Sequence, residues 1–405
     1  MTESVSLIVG SEPWNFVLPT EKLQPLKRVM VPGLGLPPGP LMTAALEQPL
    51  ELGAPLYRAL TPDDQVVILV DERLPEIVEL LAPLLRHLLL AHIDLSNVTV
   101  LVPASSLQQP WLDNLPDELA DIHLDVHDPE NRDKISYLAT TKSGRRVYLN
   151  RKIVEADLLL VLSGRGFDAK LGYSGGAAFL FPQFSDTETI AAYPKEFSVL
   201  KRPEEPNTLR TEAKEILKLL GAPFLVQVID GIGDGVAEVL VGLPTSTTDG
   251  VVSLKKRWFA HADAKADLVI ASVSGSPGRI LFRDLATAVA TARRACESGG
   301  RLVLLTTAAP LLDESGDLLL KVEEPATALK RIALANPDDA LPGTFWAFAA
   351  KKISLYVSSG WAEELVEELF ATPIHTAAEV QRLIDAAESV LFLPDAHKMF
   401  VEVGA

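Results

Sequence analysis

The residues best placed to do chemistry gather around one run, Gly164-Arg-Gly-Phe-Asp-Ala-Lys-Leu-Gly-Tyr-Ser-Gly-Gly-Ala-Ala178. Five glycines, Gly164, Gly166, Gly172, Gly175 and Gly176, fall within thirteen residues and follow an apolar stretch, 156–163, of buried-strand character. Glycine accepts positive φ and lets a ligand or a second backbone come close, so such a run after a strand suits a binding loop. Its backbone N–H groups suit an anion such as phosphate. The spacing is neither G-x-G-x-x-G nor the phosphate loop G-x-x-x-x-G-K-[ST]. A tight strand-to-helix connection with no ligand is the competing reading.

Charged residues near other strand ends are the next candidates. Asp71 closes the apolar run 65–71 and either binds a ligand hydroxyl or caps the following helix, with capping the safer reading. Arg73 and Arg165 offer positive charge to a carboxylate or phosphate, although a loop arginine is more often solvated or paired with a surface acid. His123, Asp125 and His127 share one face of an alternating strand. A metal site there needs a third ligand that the sequence does not name, so a half-exposed strand face is favoured. His87 and His92 belong to an apolar helix and read as structural; His261, His375 and His397 stand alone. Cys296 sits in a helix with nothing to mark it as activated. No nucleophile elbow or cysteine–metal cluster is present.

Strand–helix–strand alternation must position these groups. Residues 65–71 and 97–103 read as strands buried on both faces, with an apolar helix from Pro75 to about His92 between them. A crossover of helical length implies parallel pairing and a right-handed connection, and ligands of such sheets sit at the carboxyl ends of the strands. That puts Asp71, the loop 104–110 and the glycine loop on one rim. A helix over 207–220 capped by Gly221, a hairpin over 224–242 and a linker-like stretch at 243–250 follow. Strands at 266–272, 301–306, 353–357 and 390–393, with helices at 279–298, 362–370 and 376–387, begin a second alternation. The expected fold is α/β with two domains, 1–260 and 261–405, largely parallel sheets and a cleft between them. The last residues are allowed to return to the first domain.

The bulk numbers narrow the function. The 405 residues suffice for two domains, and 48% hydrophobic with 22% charged residues is ordinary globular composition. A net charge of -17 argues against nucleic acid or an anionic membrane as partner, but leaves a small anion open. One cysteine rules out an internal disulfide and fits the cytoplasm. The N-terminus shows no signal-peptide pattern, and the apolar stretch near 77–93 is broken by Glu79, Pro83, Arg86 and His87.

Gly172-Tyr-Ser-Gly-Gly-Ala177, then Pro182, then Asp186-Thr-Glu-Thr-Ile190, resembles the central motif of the nickel-pincer lactate racemase family. Asp71-Glu-Arg-Leu-Pro75, Leu107-Gln-Gln-Pro110, Asn150-Arg151 and Gly275-Ser-Pro277 are similar to that family's other segments and follow its order. The resemblance implies the family's two-domain fold and a small 2-hydroxy acid as ligand, with Asp71, Arg73, Gly172, Tyr173, Ser174, Gly175 and Gly176 at its binding positions. It also implies a nickel pincer nucleotide tethered by a lysine, nickel held by a histidine and two proton-transfer histidines. At those positions this chain has Ala178 for the tether, Tyr193 or Pro194 for the nickel ligand, and Gln108 and Asp168 for proton transfer. The family's arginine falls at Leu74, one residue from Arg73; its second-domain positions fall at Arg283, Asp284 and Thr287.

Alanine cannot form an amide tether, and tyrosine or proline is a poor nickel ligand. Gln108 cannot take a proton. Asp168, with an unperturbed pKa of about 4, is a weak base at neutral pH. The expectation is a racemase- or epimerase-like fold without classical nickel-pincer catalysis and with no metal ligands assigned. The alternative is a non-enzymatic protein that binds a small anion or a protein partner. A third reading reuses Asp168, Asp71 and Arg73 in acid–base chemistry without nickel.

Overall fold

The computed structural model describes residues 1–105, 110–192 and 202–404. The chain opens with an antiparallel hairpin, β1 (Thr2–Val9) and β2 (Glu12–Pro19), and a short strand β3 (Leu26–Lys27). Helix α1 (Pro38–Glu47) leads to β4 (Val66–Val70), α2 (Ile77–Leu90), β5 (Val98–Val102) and β6 (His123–Val126). A second hairpin, β7 (Ile135–Thr140) and β8 (Arg146–Asn150), and α3 (Arg151–Glu155) precede β9 (Leu158–Arg165). The glycine loop forms a two-stranded ribbon, β10 (Phe167–Asp168) with β11 (Gly172–Tyr173), before α4 (Ala177–Leu180) and α5 (Thr187–Ala192). Then come α6 (Thr208–Leu219), β12 (Phe224–Asp230), β13 (Val236–Gly242) and α7 (Thr247–Trp258).

The second half runs β14 (Phe259–Ala262), β15 (Ala266–Ser272), α8 (Phe282–Ala295), β16 (Cys296–Leu305), α9 (Glu314–Asp317), α10 (Pro325–Ala335) and α11 (Leu341–Ala350). It ends with β17 (Ser354–Ser358), α12 (Glu363–Glu368), β18 (Ala371–Pro373), α13 (Ala377–Asp385), β19 (Val390–Leu393) and β20 (Phe400–Val403).

Two sheets carry the architecture. The first has the order β13-β12-β9-β4-β5-β6, and only β13 is antiparallel to its neighbour. The second, β18-β17-β16-β15-β19, is parallel throughout. Both are α/β sheets covered on both faces, which explains the unbroken apolar strands. In β4, Val66, Ile68 and Val70 enter the core beneath α1 and α2, whereas Val67 and Leu69 enter the core on the α4 and α6 side. In β15, Val269 and Ala271 face α8 while Leu268 and Ile270 meet Leu7, Val9, Phe16 and Leu18 of the N-terminal hairpin. Residues 2–19 thus pack on the second sheet rather than within the first. The chain ends cross over as well, since β20 pairs with β14 and β14 with β3 in a small third sheet.

Several local expectations are corrected. The stretch 243–250 is no linker: Pro244 opens a short 3-10 turn that runs directly into α7. Gly250 inside that helix is required by packing, because an added Cβ would lie 2.1 Å from Gln227 Oε1. Pro75 is not the first residue of α2, which starts at Ile77 after Glu76 adopts φ 50°. α1 begins at Pro38 and so takes in the end of the proline-rich segment. Helices α10 and α11 fill a region for which the sequence suggests no elements.

Candidate functional site

In each sheet the strand order reverses at one place, and a crevice opens there beyond the carboxyl ends of the strands. In the first sheet the reversal lies between β4 and β9, which end at Asp71 and the glycine loop. In the second it lies between β15 and β19, which lead into the turns carrying Ser274 and Asp395. The two crevices face each other. Together they enclose a cavity of about 210 Å³ lined by Asp71, Arg73, Ser174, Asp230, Arg279 and His397, among others. Of the rim expected from Asp71, the loop 104–110 and the glycine loop, Asp71 and Ser174 line this cavity. Gln108 lies outside the described residues.

Asp71 does not cap α2. Its Oδ1 accepts from the Arg73 backbone N–H at 3.2 Å and from Arg73 Nε at 3.2 Å, closing the turn that leaves β4. Arg73 is thereby held at the cavity mouth. Arg279 donates to Asp234 Oδ1 at 2.8 Å and to the Arg73 carbonyl, and Asp234 Oδ2 accepts from Ser276 N–H at 2.6 Å. These contacts tie the β12–β13 turn and the β4 rim to the loop after β15.

A deeper set of contacts fixes the cavity floor. The fully buried Asp395 takes Ser274 N–H at 2.8 Å and Ser274 Oγ–H at 2.6 Å on one oxygen, and Gly233 N–H at 2.7 Å on the other. Burial alone would raise its pKa, but Lys398, His397 and these hydrogen bonds hold it below the usual carboxylate value. Lys398 donates to the carbonyls of Gly231 and Gly233, at 2.9 and 2.5 Å, and lies 5.6 Å from the centre of the Trp258 ring.

Two groups lining this cavity are left over. Asp230 Oδ1 and His397 Nδ1 are enclosed and have no hydrogen-bond partner among the described residues. Burial raises the Asp230 carboxyl pKa, against the pull of Lys398 and His397. Burial likewise lowers the His397 imidazole pKa, although Asp395, Asp284 and Asp230 oppose it. A carboxyl that tends to hold its proton beside an imidazole that tends to lose one is the pattern of an acid–base pair. Sequence reasoning passes over both. His397 looks isolated there because its neighbours come from β12, α8 and the turn after β19.

The glycine loop proves to be a partition. Ser174 faces the cavity just described. Asp168 and Gly172 line a smaller neighbouring cavity of about 90 Å³, which His397 also borders. Tyr173, Gly175 and Ala178 line a third, of about 360 Å³, on the opposite side. Asp168 Oδ1 accepts Lys170 and Leu171 N–H, at 2.8 and 2.6 Å, so this carboxylate is engaged in closing its own turn. Tyr173 donates its hydroxyl to Glu204 at 3.1 Å. Gly176 donates to Ser163 Oγ at 2.8 Å.

Gly176 makes room for Arg165, which runs almost fully buried beneath it, while Gly175 packs on the Gly164 carbonyl and Gly172 on that of Pro203. Arg165 Nε donates to Gln227 at 2.7 Å and its Nη1 to the carbonyls of Ser174 and Gly175 at 3.1 and 3.0 Å. Burial pushes its pKa down to about 10, so it remains charged at neutral pH.

The remaining candidates are structural. His127 is buried, with Nε2 2.8 Å from the Ser185 carbonyl and Nδ1 3.2 Å from Asn150 Nδ2. Asp125 pairs with Lys134 and Lys152, at 3.1 and 3.2 Å. His87 packs edge-on to Tyr57.

The lysine tether of a nickel pincer nucleotide has no counterpart in this chain, where Ala178 stands at that position. Ala178 presents no nucleophile and lies across the loop from Ser174. No group of three or more His, Cys, Asp or Glu among the described residues is placed to hold a metal ion. Tyr193 and Pro194 lie outside the described residues.

The comparisons agree with this fold. A family model for the lactate racemase N-terminal domain matches residues 25–205. The lactate racemase of Thermoanaerobacterium thermosaccharolyticum is 22% identical over 417 residues, covering 96% of this chain and 95% of that protein. The solved lactate racemase apoprotein from the same organism superposes with a TM-score of 0.78 at 18% identity, over 99% of this chain and 100% of that one. A Thermotoga maritima protein matches with a TM-score of 0.62 at 11% identity, over 91% of this chain and 100% of that one. The protein is of the two-sheet α/β class with a cavity between the sheets. Over 25–205 it is similar to the lactate racemase N-terminal domain, and over its whole length it shares the fold of the lactate racemase apoprotein.

Proposed function

We propose that this protein binds a small 2-hydroxy acid in the cavity between its two sheets, without the tethered nickel chemistry of a lactate racemase. The observation that carries the reading is the meeting of the two switch-point crevices on a single polar cavity. There Arg73 is held at the mouth and the unpartnered Asp230 Oδ1 and His397 Nδ1 lie enclosed. A 2-hydroxy carboxylate presents one negative charge and one hydroxyl. Arg73 is suited to the first, and Asp230 or His397 to the second. Any isomerase activity at this site rests on these two groups rather than on Asp168, whose carboxylate closes a local turn. With Cys296 its one cysteine, the chain suits the reducing cytoplasm.

The test titrates purified protein with D-lactate, L-lactate and longer 2-hydroxy acids by calorimetry. It is paired with chiral chromatography, metal analysis and intact mass. Saturable binding that Arg73→Gln weakens about tenfold or more, without nickel or adduct, is the expected result. Stoichiometric nickel with a covalent adduct would restore the racemase mechanism, and no binding of any 2-hydroxy acid would end the reading.

A further inference from the structure

We propose that the third cavity, between α6, α7 and the outer side of the glycine loop, binds a phosphate group, free or esterified. This does not rest on the hydroxy-acid reading: Arg165 borders both cavities, but Arg210, Lys214, Thr247 and Thr248 line this one and not that of Ser174.

The argument is one of uncompensated charge. Arg165, Arg210, Lys214 and Lys255 line the cavity, and Glu204 is the carboxylate that lines it with them. Lys255 pairs with Glu204 at 2.5 Å, which accounts for that carboxylate. Among the described residues the other three cations meet no carboxylate. Arg165 binds Gln227 and two carbonyls, and its Nη2, enclosed in a side chain only 5% exposed, has no acceptor there. Arg210 binds the carbonyls of Leu171, Pro203 and Glu205 and stacks over the Tyr173 ring at 5.7 Å. Lys214 makes no side-chain hydrogen bond or ion pair with the described residues. Its ammonium pKa is lowered by burial and then by repulsion from Arg210 and Arg165.

The cost of an unpartnered charge falls on Arg165, which is buried with no carboxylate partner among the described residues; the half-exposed Arg210 and the exposed Lys214 add positive potential beside it. They are more notable in a chain of net charge -17. A dianion placed among them would offset that cost.

The start of α7 adds a second source of positive potential. Its first two residues, Thr247 and Thr248, line the cavity. No side chain caps this twelve-residue helix: Ser246 Oγ is engaged with the Leu243 carbonyl and Gln227 Nε2. The 3-10 turn Pro244–Ser246 runs into this helix and takes up the Thr247 N–H, so the helix contributes the positive end of its dipole here rather than a set of free N–H groups. Tyr173, Val251 and Val252 supply an apolar rim on which the organic part of an ester would rest. The walls also touch the loop directly. Arg165 holds the carbonyls of Ser174 and Gly175, so an anion beside it would reinforce the partition that shapes the hydroxy-acid cavity.

The test measures melting temperature and calorimetric affinity with inorganic phosphate and with glycerol 3-phosphate, each against sodium chloride of equal ionic strength. Wild-type protein is expected to be stabilised by one or both, with saturation, and not by chloride. Lys214→Glu and Thr248→Val, both at exposed positions, are expected to melt like wild type without ligand and to weaken binding tenfold or more. Tighter binding of inorganic phosphate assigns the site to the free anion; tighter binding of glycerol 3-phosphate assigns it to an ester. Stabilisation no greater than that by chloride, or affinity within twofold of wild type in both variants, overturns the proposal. Lactate affinity measured on the same variants stays at the wild-type value, which separates failure here from failure of the hydroxy-acid reading.

Discussion

Asp230 and His397 show what a single enclosed polar atom does to a fold. Each leaves a hydrogen-bonding position unmet, which costs about 1–3 kcal/mol. Asp230, with its pKa raised, opposes folding once pH exceeds its unfolded value of about 4, because the unfolded chain gives up the proton more readily. Asp230→Asn is therefore expected to raise the melting temperature at pH 7 by a few degrees while weakening hydroxy-acid binding. A calorimetric scan with no rise contradicts the burial argument. His397 acts with the opposite slope. Its imidazolium is disfavoured in the fold, so as pH falls below about 6.5 the unfolded chain binds the proton first and stability declines. His397→Gln is expected to flatten the stability curve between about pH 5 and about pH 7 in denaturant titrations. None of this is legible in the sequence, where His397 lies 113 residues from Asp284 and 167 from Asp230. A charge cluster assembled across such separations leaves no local spacing to read.

At the scale of elements, strands are the most readable. Residues 266–272 and 390–393 match β15 and β19 to the residue, because burial on both faces demands an unbroken apolar run that ends where the backbone reaches the rim. Helix α6 is nearly as clear, and Asn207 caps it through Arg210 N–H at 2.9 Å. The start of α7 misleads because Pro244 and Gly250 are usually breakers. Here the proline opens the turn and the glycine makes room for Gln227. The glycine loop is recognisable, but its role as a partition is not, since the buried Arg165 that Gly176 accommodates looks like an ordinary loop arginine. Gly175, at φ 79° and with an added Cβ only 2.3 Å from the Gly164 carbonyl oxygen, tests how closely the loop packs on the end of β9. Gly175→Ala is expected to cost about 2 kcal/mol or more. Gly53→Ala, also at positive φ but with nothing within 4 Å, should cost only the backbone penalty of about 1 kcal/mol. Equal losses in chemical denaturation would remove the packing argument.

For the whole molecule, the decisive contact is the staple formed by Asp395 and Lys398 on the Gly231–Gly235 turn, where the last strands grip the first sheet. Removing one member of a buried charged network leaves the other uncompensated, so Asp395→Ala is expected to lose about 3–5 kcal/mol and to loosen the cavity. Because the Asp395 pKa is depressed in the fold, its contribution is present above its unfolded value of about 4 and disappears as pH drops through the folded value. Asp395→Asn should accordingly show a shallower acid limb than wild type in pH-dependent melting. An unchanged limb would mean that the staple carries little of the acid sensitivity. The sequence conveys the two α/β alternations, but not this fastening. Asp395 sits in a left-handed turn after β19, where nothing in its neighbours points to Gly233 or Ser274.

The N-terminal hairpin has a consequence for synthesis. The surface that receives Leu7, Val9, Phe16 and Leu18 is built from residues 268–392, which emerge from the ribosome some 250 residues after the hairpin. Until then its greasy side has no native resting place, so the nascent polypeptide carries a sticky edge over that stretch of translation. A fragment ending at Ala262 would keep that edge permanently, and is expected to clump or to recruit chaperones where the full-length chain does not.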